Sequence, residues 1–225
     1  AVASAKRKSF SFTPSVAPIK KSPSMHEFGV SSRDRRLIVM GCSTGGVEAL
    51  RYLLPQLPNG LPPMLVVQHI PAFFSKAVAD RINEMTPYDV REAVDDEPLR
   101  AGLCLIAPGN YHLMVVRKEG VYRTRLIQTP PIHHCRPAVD VLFRSAAEVA
   151  NSHVLGVLMT GMGSDGAIGL QHILRAGGHT IAEHEDSCVV YGMPRAAIEL
   201  GAAKQVVPLN LMPSYVVKAA QTLAT

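Results

Sequence analysis

From Leu37 onward the chain alternates short, wholly apolar runs with stretches whose apolar residues recur every three or four positions. Leu37–Met40 reads as a buried strand, followed by a glycine-rich turn and a helix through Val47, Leu50, Leu53 and Leu54. Met64–Val67 is a second strand that ends at Gln68-His69, with a helix over roughly Phe73–Met85 after it. Leu103–Ala107 is a third strand, stopped by the turn signal Pro108-Gly109-Asn110. His112–Val116 and Val121–Ile127, joined through Lys118-Glu119-Gly120, read as an antiparallel hairpin. A helix over Ala138–Ala150 precedes a strand at Val154–Met159, and Gly161–Gly166 leads into a helix through Ile168, Leu170, Ile173 and Leu174. The theme repeats with Thr180–Ala182, a helix after Pro194, a strand at Gln205–Val207 and a last helix near Ser214–Leu223.

Continuously apolar strands that alternate with helices belong to a parallel sheet buried on both faces. The predicted fold is therefore a doubly wound α/β domain with helices on both faces and one antiparallel hairpin. At 225 residues the chain has room for one such domain and some excess. No stretch is apolar for long enough to span a bilayer as a helix, and no signal-peptide core is present.

Charge locates the excess. The chain carries a formal net charge of +5, which by itself suggests an anionic partner such as nucleic acid. Residues 1–36, however, hold eight basic residues against Glu27 and Asp34, a net of +6. The remaining fifteen basic and sixteen acidic residues net −1. The basic character thus belongs to a Ser- and Pro-rich segment without apolar periodicity, read as a disordered linker or arm over 1–36. A globular body over 37–225 follows it. That body shows no basic surface that calls for nucleic acid. The chain begins at Ala1 rather than Met, as a fragment of a longer protein would. Cys42, Cys104, Cys135 and Cys188 are scattered without a CxxC pair, which suits reduced thiols in a cytoplasmic setting.

In sheets of this kind, ligands bind beyond the carboxyl ends of the strands, at the switch in strand order. Ser43 follows the first strand in Gly41-Cys42-Ser43-Thr44-Gly45-Gly46, His69 closes the second, and Asp165 follows the strand at 154–159. Serine, histidine and carboxylate are the types that acyl transfer needs as nucleophile, general base and orienting partner. Gly41-x-Ser43-x-Gly45 also fits a nucleophile elbow, and the helix after it would aim free N–H groups at an oxyanion. Two bland readings stand beside this one: Ser43 as the N-cap of that helix, and Asp165 as the cap of the later one. The order Ser43, His69, Asp165 differs from that of the hydrolase fold best known for the elbow.

Gly161-x-Gly163-x-x-Gly166 is formally a dinucleotide fingerprint, with Glu183, Glu185 and Asp186 downstream, and so a dinucleotide-binding oxidoreductase is a competing reading. Asp165 counts against it, since it puts a carboxylate where a pyrophosphate would bind. A third reading is a non-catalytic docking module recruited through the basic arm. His133-His134-Cys135 lacks any zinc spacing and reads as a structural loop. Cys42 reads as a small buried apolar side chain, and His172, His179 and His184 as surface or core residues.

Six segments occur in a telling order: Gly41–Gly46, Gln68-His69-Ile70-Pro71, Ala107-Pro108-Gly109-Asn110, Arg136–Phe143, Thr160–Gly166 and Cys188–Arg195. Together they resemble the catalytic domain of the bacterial chemotaxis methylesterases, the CheB family. That resemblance implies a cytoplasmic esterase acting on glutamate methyl esters of chemoreceptor helical domains, able also to deamidate receptor glutamines, without metal or cofactor. Carried over by position, Ser43 is the nucleophile, His69 the general base and Asp165 its orienting partner. The Met162 N–H is placed near the oxyanion and Thr44 beside the nucleophile, while Arg136 and Tyr191 border the cleft. Family members commonly carry an N-terminal phosphorylatable receiver domain, and nothing before Arg36 could form one. The expectation is a linker left from a longer parent chain or a different mode of regulation.

Overall fold

The computed structural model describes residues 35–223. The arm expected over 1–36 lies, apart from Arg35 and Arg36, outside the described residues. The chain runs β1 (Leu37–Cys42), α1 (Gly46–Leu53), β2 (Met64–Gln68), α2 (Ser75–Asn83), β3 (Asp89–Glu92), β4 (Leu103–Ile106), β5 (His112–Lys118) and β6 (Val121–Ile127). It continues through α3 (Val139–Ala150), β7 (Val154–Leu158), α4 (Ala167–Arg175), β8 (His179–Glu183), α5 (Met193–Glu199), β9 (Gln205–Val207) and α6 (Met212–Thr222).

Seven strands form one sheet in the order β3-β4-β2-β1-β7-β8-β9, with every neighbouring pair parallel. All six residues of β1 are buried, as a central strand covered on both faces requires. Alternation along β1 assigns its side chains to two cores. Ile38, Met40 and Cys42 face the side covered by α1, α2 and α6, where Leu50, Ile82 and Val216 pack. Leu37 and Val39 face α3, α4 and α5, represented by Leu142, Phe143, Leu170 and Ala197. The β5–β6 hairpin is a separate antiparallel pair whose Leu113, Val115 and Tyr122 join this second core. Each large apolar side chain so enclosed contributes ~1.5–3 kcal/mol through burial.

The expected elements are present, with two adjustments. The short strand β3 was not anticipated: Asp89-Val90-Arg91-Glu92 offers one buried apolar residue, the pattern of a charged edge strand that discourages further pairing. The helix expected from Phe73 begins at Ser75, because Phe73 and Phe74 stand exposed in the preceding loop. No helix among the described residues is long and apolar enough to cross a membrane.

The strand order sets up the site. The chain leaves β1 for β2 on one side and later returns to β7 on the other, so β1 is the switch point. Ser43, His69 and Asp165 lie after the carboxyl ends of β1, β2 and β7 respectively.

Candidate active site

Register places the first two residues together. Cys42 pairs with Gln68 on the last rung of β1 and β2, and the His69 N–H donates to the Cys42 carbonyl at 3.0 Å. Gln68, almost fully buried, then donates from Nε2 to the carbonyls of both Ser43 (2.9 Å) and His69 (3.0 Å). On the other flank the Ser43 N–H donates to the Thr160 carbonyl at 2.9 Å, tying the turn to the loop after β7. The turn is sharp because it is built from glycine. A Cβ on Gly41 would stand 2.2 Å from Val139 Cγ1, and Gly45 has a φ of 83° with Val189 pressed against it. Gly45, not Ser43, is the N-cap of α1, so the capping reading of Ser43 does not hold.

Asp165 is buried and also does not cap its own helix, whose N-cap is Gly166. Its carboxylate instead receives the first N–H groups of α3, Val139 to Oδ2 at 2.7 Å and Asp140 to Oδ1 at 2.9 Å. His69 Nε2 meets the same Oδ2 at 2.7 Å. Burial alone would push the Asp165 carboxyl up. The bonds from His69, Asp140 and Val139 outweigh it and hold the group below its ordinary value. With Asp165 ionised, the His69 nitrogen facing it carries the proton, and Nδ1 keeps a lone pair.

Nδ1 has a neighbour that the sequence reading did not place. Ile132 and Cys135 exchange two backbone hydrogen bonds around His133 and His134, whose φ values are 50° and 61°. Two successive left-handed residues make a type I′ hairpin turn. The turn swings Cys135 Sγ to 3.5 Å from His69 Nδ1 and His133 Nε2 to 3.0 Å from Asp140 Oδ2. The segment read as a structural loop thus covers the histidine. Burial, and then the charge of Asp165, raise the Cys135 thiol, so it sits beside Nδ1 as a neutral S–H.

The remaining expected residues gather at the same edge. Met162 is exposed, and its backbone N–H has no hydrogen-bond acceptor among the described residues. Thr44 is exposed, and its carbonyl accepts from Thr160 Oγ1 at 2.9 Å. Tyr191 is half-buried and its backbone bridges to Gly161, the residue before Met162. Arg136 donates to Asn110 Oδ1 at 2.5 Å and to the Thr129 carbonyl at 2.9 Å, so its guanidinium braces two loops.

Gln68, Thr160 and Asp140 were not singled out as site residues in the sequence. Gln68 and Thr160 hold the backbone of Ser43, and the Asp140 side chain joins His133 to the Gly169 N–H of α4 (2.6 Å). Their only sequence signal is adjacency to His69, to Gly161 and to the start of α3. His133, Asp140 and Asp165 bring one potential metal-ligand atom each within 4.8 Å of one another. Every oxygen of the two carboxylates already accepts an N–H. Of the three acidic residues downstream of the glycine fingerprint, Glu183 is buried and accepts from the Thr160 N–H and the Ser187 hydroxyl, while Glu185 and Asp186 are exposed.

Comparisons with known proteins show the family and the fold. Residues 38–216 match the family model described as CheB methylesterase. A protein-glutamate methylesterase/protein-glutamine glutaminase of Symbiobacterium thermophilum is 50% identical over 186 residues, covering 82% of this chain and 51% of that protein. The protein of the same description from Bdellovibrio bacteriovorus is 42% identical over 206 residues, 92% of this chain and 57% of its own. The chain thus spans about half the length of the curated relatives it matches. The crystal structure of the Thermotoga maritima CheB methylesterase catalytic domain superposes with a TM-score of 0.80 at 38% identity, covering 81% of this chain and 97% of that one.

Proposed function

The chain belongs to the CheB methylesterase family, and from that premise we propose that it hydrolyses glutamate methyl esters on the cytoplasmic helical domains of chemoreceptors. One observation carries the reading: a buried, ionised Asp165 holds His69 by Nε2, turning Nδ1 away from the carboxylate at the switch point where Ser43 emerges. Ser43 Oγ attacks the ester carbonyl while His69 Nδ1 takes the hydroxyl proton, and Asp165 stabilises the imidazolium. The Met162 N–H donates to the tetrahedral oxyanion, with Thr44 beside the nucleophile. The imidazolium then protonates the departing methoxide, and methanol leaves. Water, deprotonated by the same nitrogen, hydrolyses the glutamyl–serine ester to free glutamate and Ser43. A glutamine side chain would follow the same path with ammonia as leaving group, which matches the second activity in the relatives' names.

A protein substrate suits the rim. Phe73 (91% exposed), Met162 (76%) and Val189 (66%) stand on the loops that follow His69, precede Asp165 and press on Gly45, exposed apolar side chains on the segments that carry the site. The half-length match leaves room in a parent chain for a receiver domain joined through residues 1–36. The deciding experiment is methanol release from methylated receptor by wild type and Ser43→Ala. Release by wild type alone, with both proteins folded, establishes the assignment; equal release by Ser43→Ala removes it.

A further inference from the structure

Behind the nucleophile lies a buried carboxylate that hydrolysis does not use. Glu183, the last residue of β8, is 0% exposed. Its Oε2 accepts the Thr160 N–H at 2.8 Å and its Oε1 accepts the Ser187 hydroxyl at 2.9 Å. No Lys, Arg or His among the described residues forms an ion pair with it. The titratable groups that face it are the Cys42 thiol from β1 and the Cys188 thiol from the segment after β8, both raised by burial first and by the charge of Glu183 second. Burial likewise raises the Glu183 carboxyl, against the opposing bonds from Thr160 and Ser187. An unpaired buried charge is an expensive feature, and its position indicates what it supports.

Thr160 is the node it holds. The Thr160 carbonyl accepts the Ser43 N–H (2.9 Å), its hydroxyl donates to the Thr44 carbonyl (2.9 Å), and that hydroxyl accepts the Val190 N–H (3.0 Å). Two residues further on stands Met162. Ser187 Oγ, the other donor to Glu183, accepts the Leu209 N–H at 2.9 Å and anchors the segment after β9. One carboxylate therefore underlies the nucleophile turn, the loop of the oxyanion donor and the segment that packs Val189 on Gly45.

We propose that Glu183 is a positioning residue for Ser43: by fixing the Thr160 peptide it sets where the nucleophilic hydroxyl and the Met162 N–H stand relative to each other. The inference rests on the esterase reading. Leucine at 183 would leave the Thr160 N–H buried without an acceptor. Glutamine would keep a carbonyl oxygen on that N–H and turn its amide toward Ser187 Oγ, whose hydroxyl can rotate to accept.

The test compares wild type, Glu183→Leu and Glu183→Gln for methanol release from methylated receptor. It also measures the rate at which a fluorophosphonate labels Ser43, a readout of the nucleophile that needs no ester substrate. Near-UV circular dichroism confirms a native fold at the assay temperature. In folded Glu183→Leu, kcat and labelling rate fall about tenfold or more with KM within about twofold, and Glu183→Gln restores both to within about threefold. Wild-type kcat and labelling in Glu183→Leu overturn the proposal, as does Glu183→Gln no better than Glu183→Leu. Should Glu183→Leu not fold, folded Glu183→Gln within about threefold of wild type in kcat and labelling supports the proposal, and a larger loss in it overturns it. Wild type that neither releases methanol nor labels overturns the esterase reading and this one together; wild type that does both, with Glu183→Leu matching it, overturns this one alone.

Discussion

Asp165 Oδ2 accepts at once from His69 Nε2 and from the Val139 N–H, each at 2.7 Å. The residue proposed to orient the general base is therefore also the anchor of the α3 N-terminus. Positive charge from that helix end and from the developing imidazolium converge on one ionised oxygen. Catalysis and the placement of α3 cannot be separated at this atom.

Asp165→Asn is expected to keep one of the two α3 contacts, because its single amide oxygen replaces two accepting oxygens, and to lose the charge that stabilises imidazolium. It also presents an amide that can reverse the His69 tautomer. Methanol release should fall by about 10³–10⁴-fold in kcat, the range for such a change in a serine triad. A loss smaller than tenfold would remove Asp165 from the machinery.

The same residue sets an acid limit. Its folded value lies below the ordinary 3.8, so its ionised form stabilises the fold above that pH, and the contribution is lost as pH falls through the folded value. Urea midpoints of wild type and Asp165→Asn should differ by a constant amount from neutral pH down to about pH 5, then converge below about pH 4. A gap that widens on acidification would contradict the assigned direction.

Glu183 has the opposite sign. Its folded value is raised above the ordinary 4.5, so the stability it contributes is complete below that pH and declines as pH rises through the folded value. Glu183→Gln should therefore be more stable than wild type at pH 8, with the difference shrinking toward pH 4. Thermal midpoints across that range decide it; equal midpoints at pH 8 would show that the carboxylate is buried without cost.

Cys135 gives a chemical handle on His69. Its Sγ lies 3.5 Å from Nδ1, where any adduct would block the nitrogen proposed to take the Ser43 proton. The raised thiol reacts slowly at neutral pH and faster as pH rises. Alkylation at pH 8.5 should abolish turnover in wild type, while Cys135→Ser should retain both activity and resistance to the reagent. Mass spectrometry of the modified peptide assigns the site, and inactivation of Cys135→Ser at the wild-type rate would place the damage elsewhere.

Two hairpin turns show what was legible in the sequence and what was not. Lys118-Glu119-Gly120 places a glycine at its second left-handed position (φ 84°), the ordinary signature of a tight turn, and the β5–β6 pairing was read from it. His133-His134 adopts the same two left-handed conformations without a glycine, so neither the turn nor the approach of Cys135 to His69 could be read. Strand β3 escaped because four mostly charged residues carry no period. The placement of Ser43, His69 and Asp165 after strand ends was legible because the sheet's rule brings strand ends to one edge. Thr160 and Glu183 act through backbone bonds, which residue type does not announce.

Gly41 links the core to the nucleophile most directly. It sits in β1 two residues before Ser43, and a Cβ there would meet Val139 Cγ1 at 2.2 Å and Cγ2 at 2.8 Å. Relief requires β1 or α3 to move, and α3 is tied to Asp165 through the Val139 N–H. Gly41→Ala should cost about 1–3 kcal/mol by overpacking, and should lower kcat as well, because the shift separates the nucleophile turn from its base. Val139→Ala removes both clashing methyls and leaves only Cβ at 3.1 Å. The double variant should therefore recover most of the stability and activity lost in Gly41→Ala, a coupling that a double-mutant cycle measures directly. Additive losses in stability and in methanol release would show that Gly41 is required for its backbone conformation rather than for the close approach of α3.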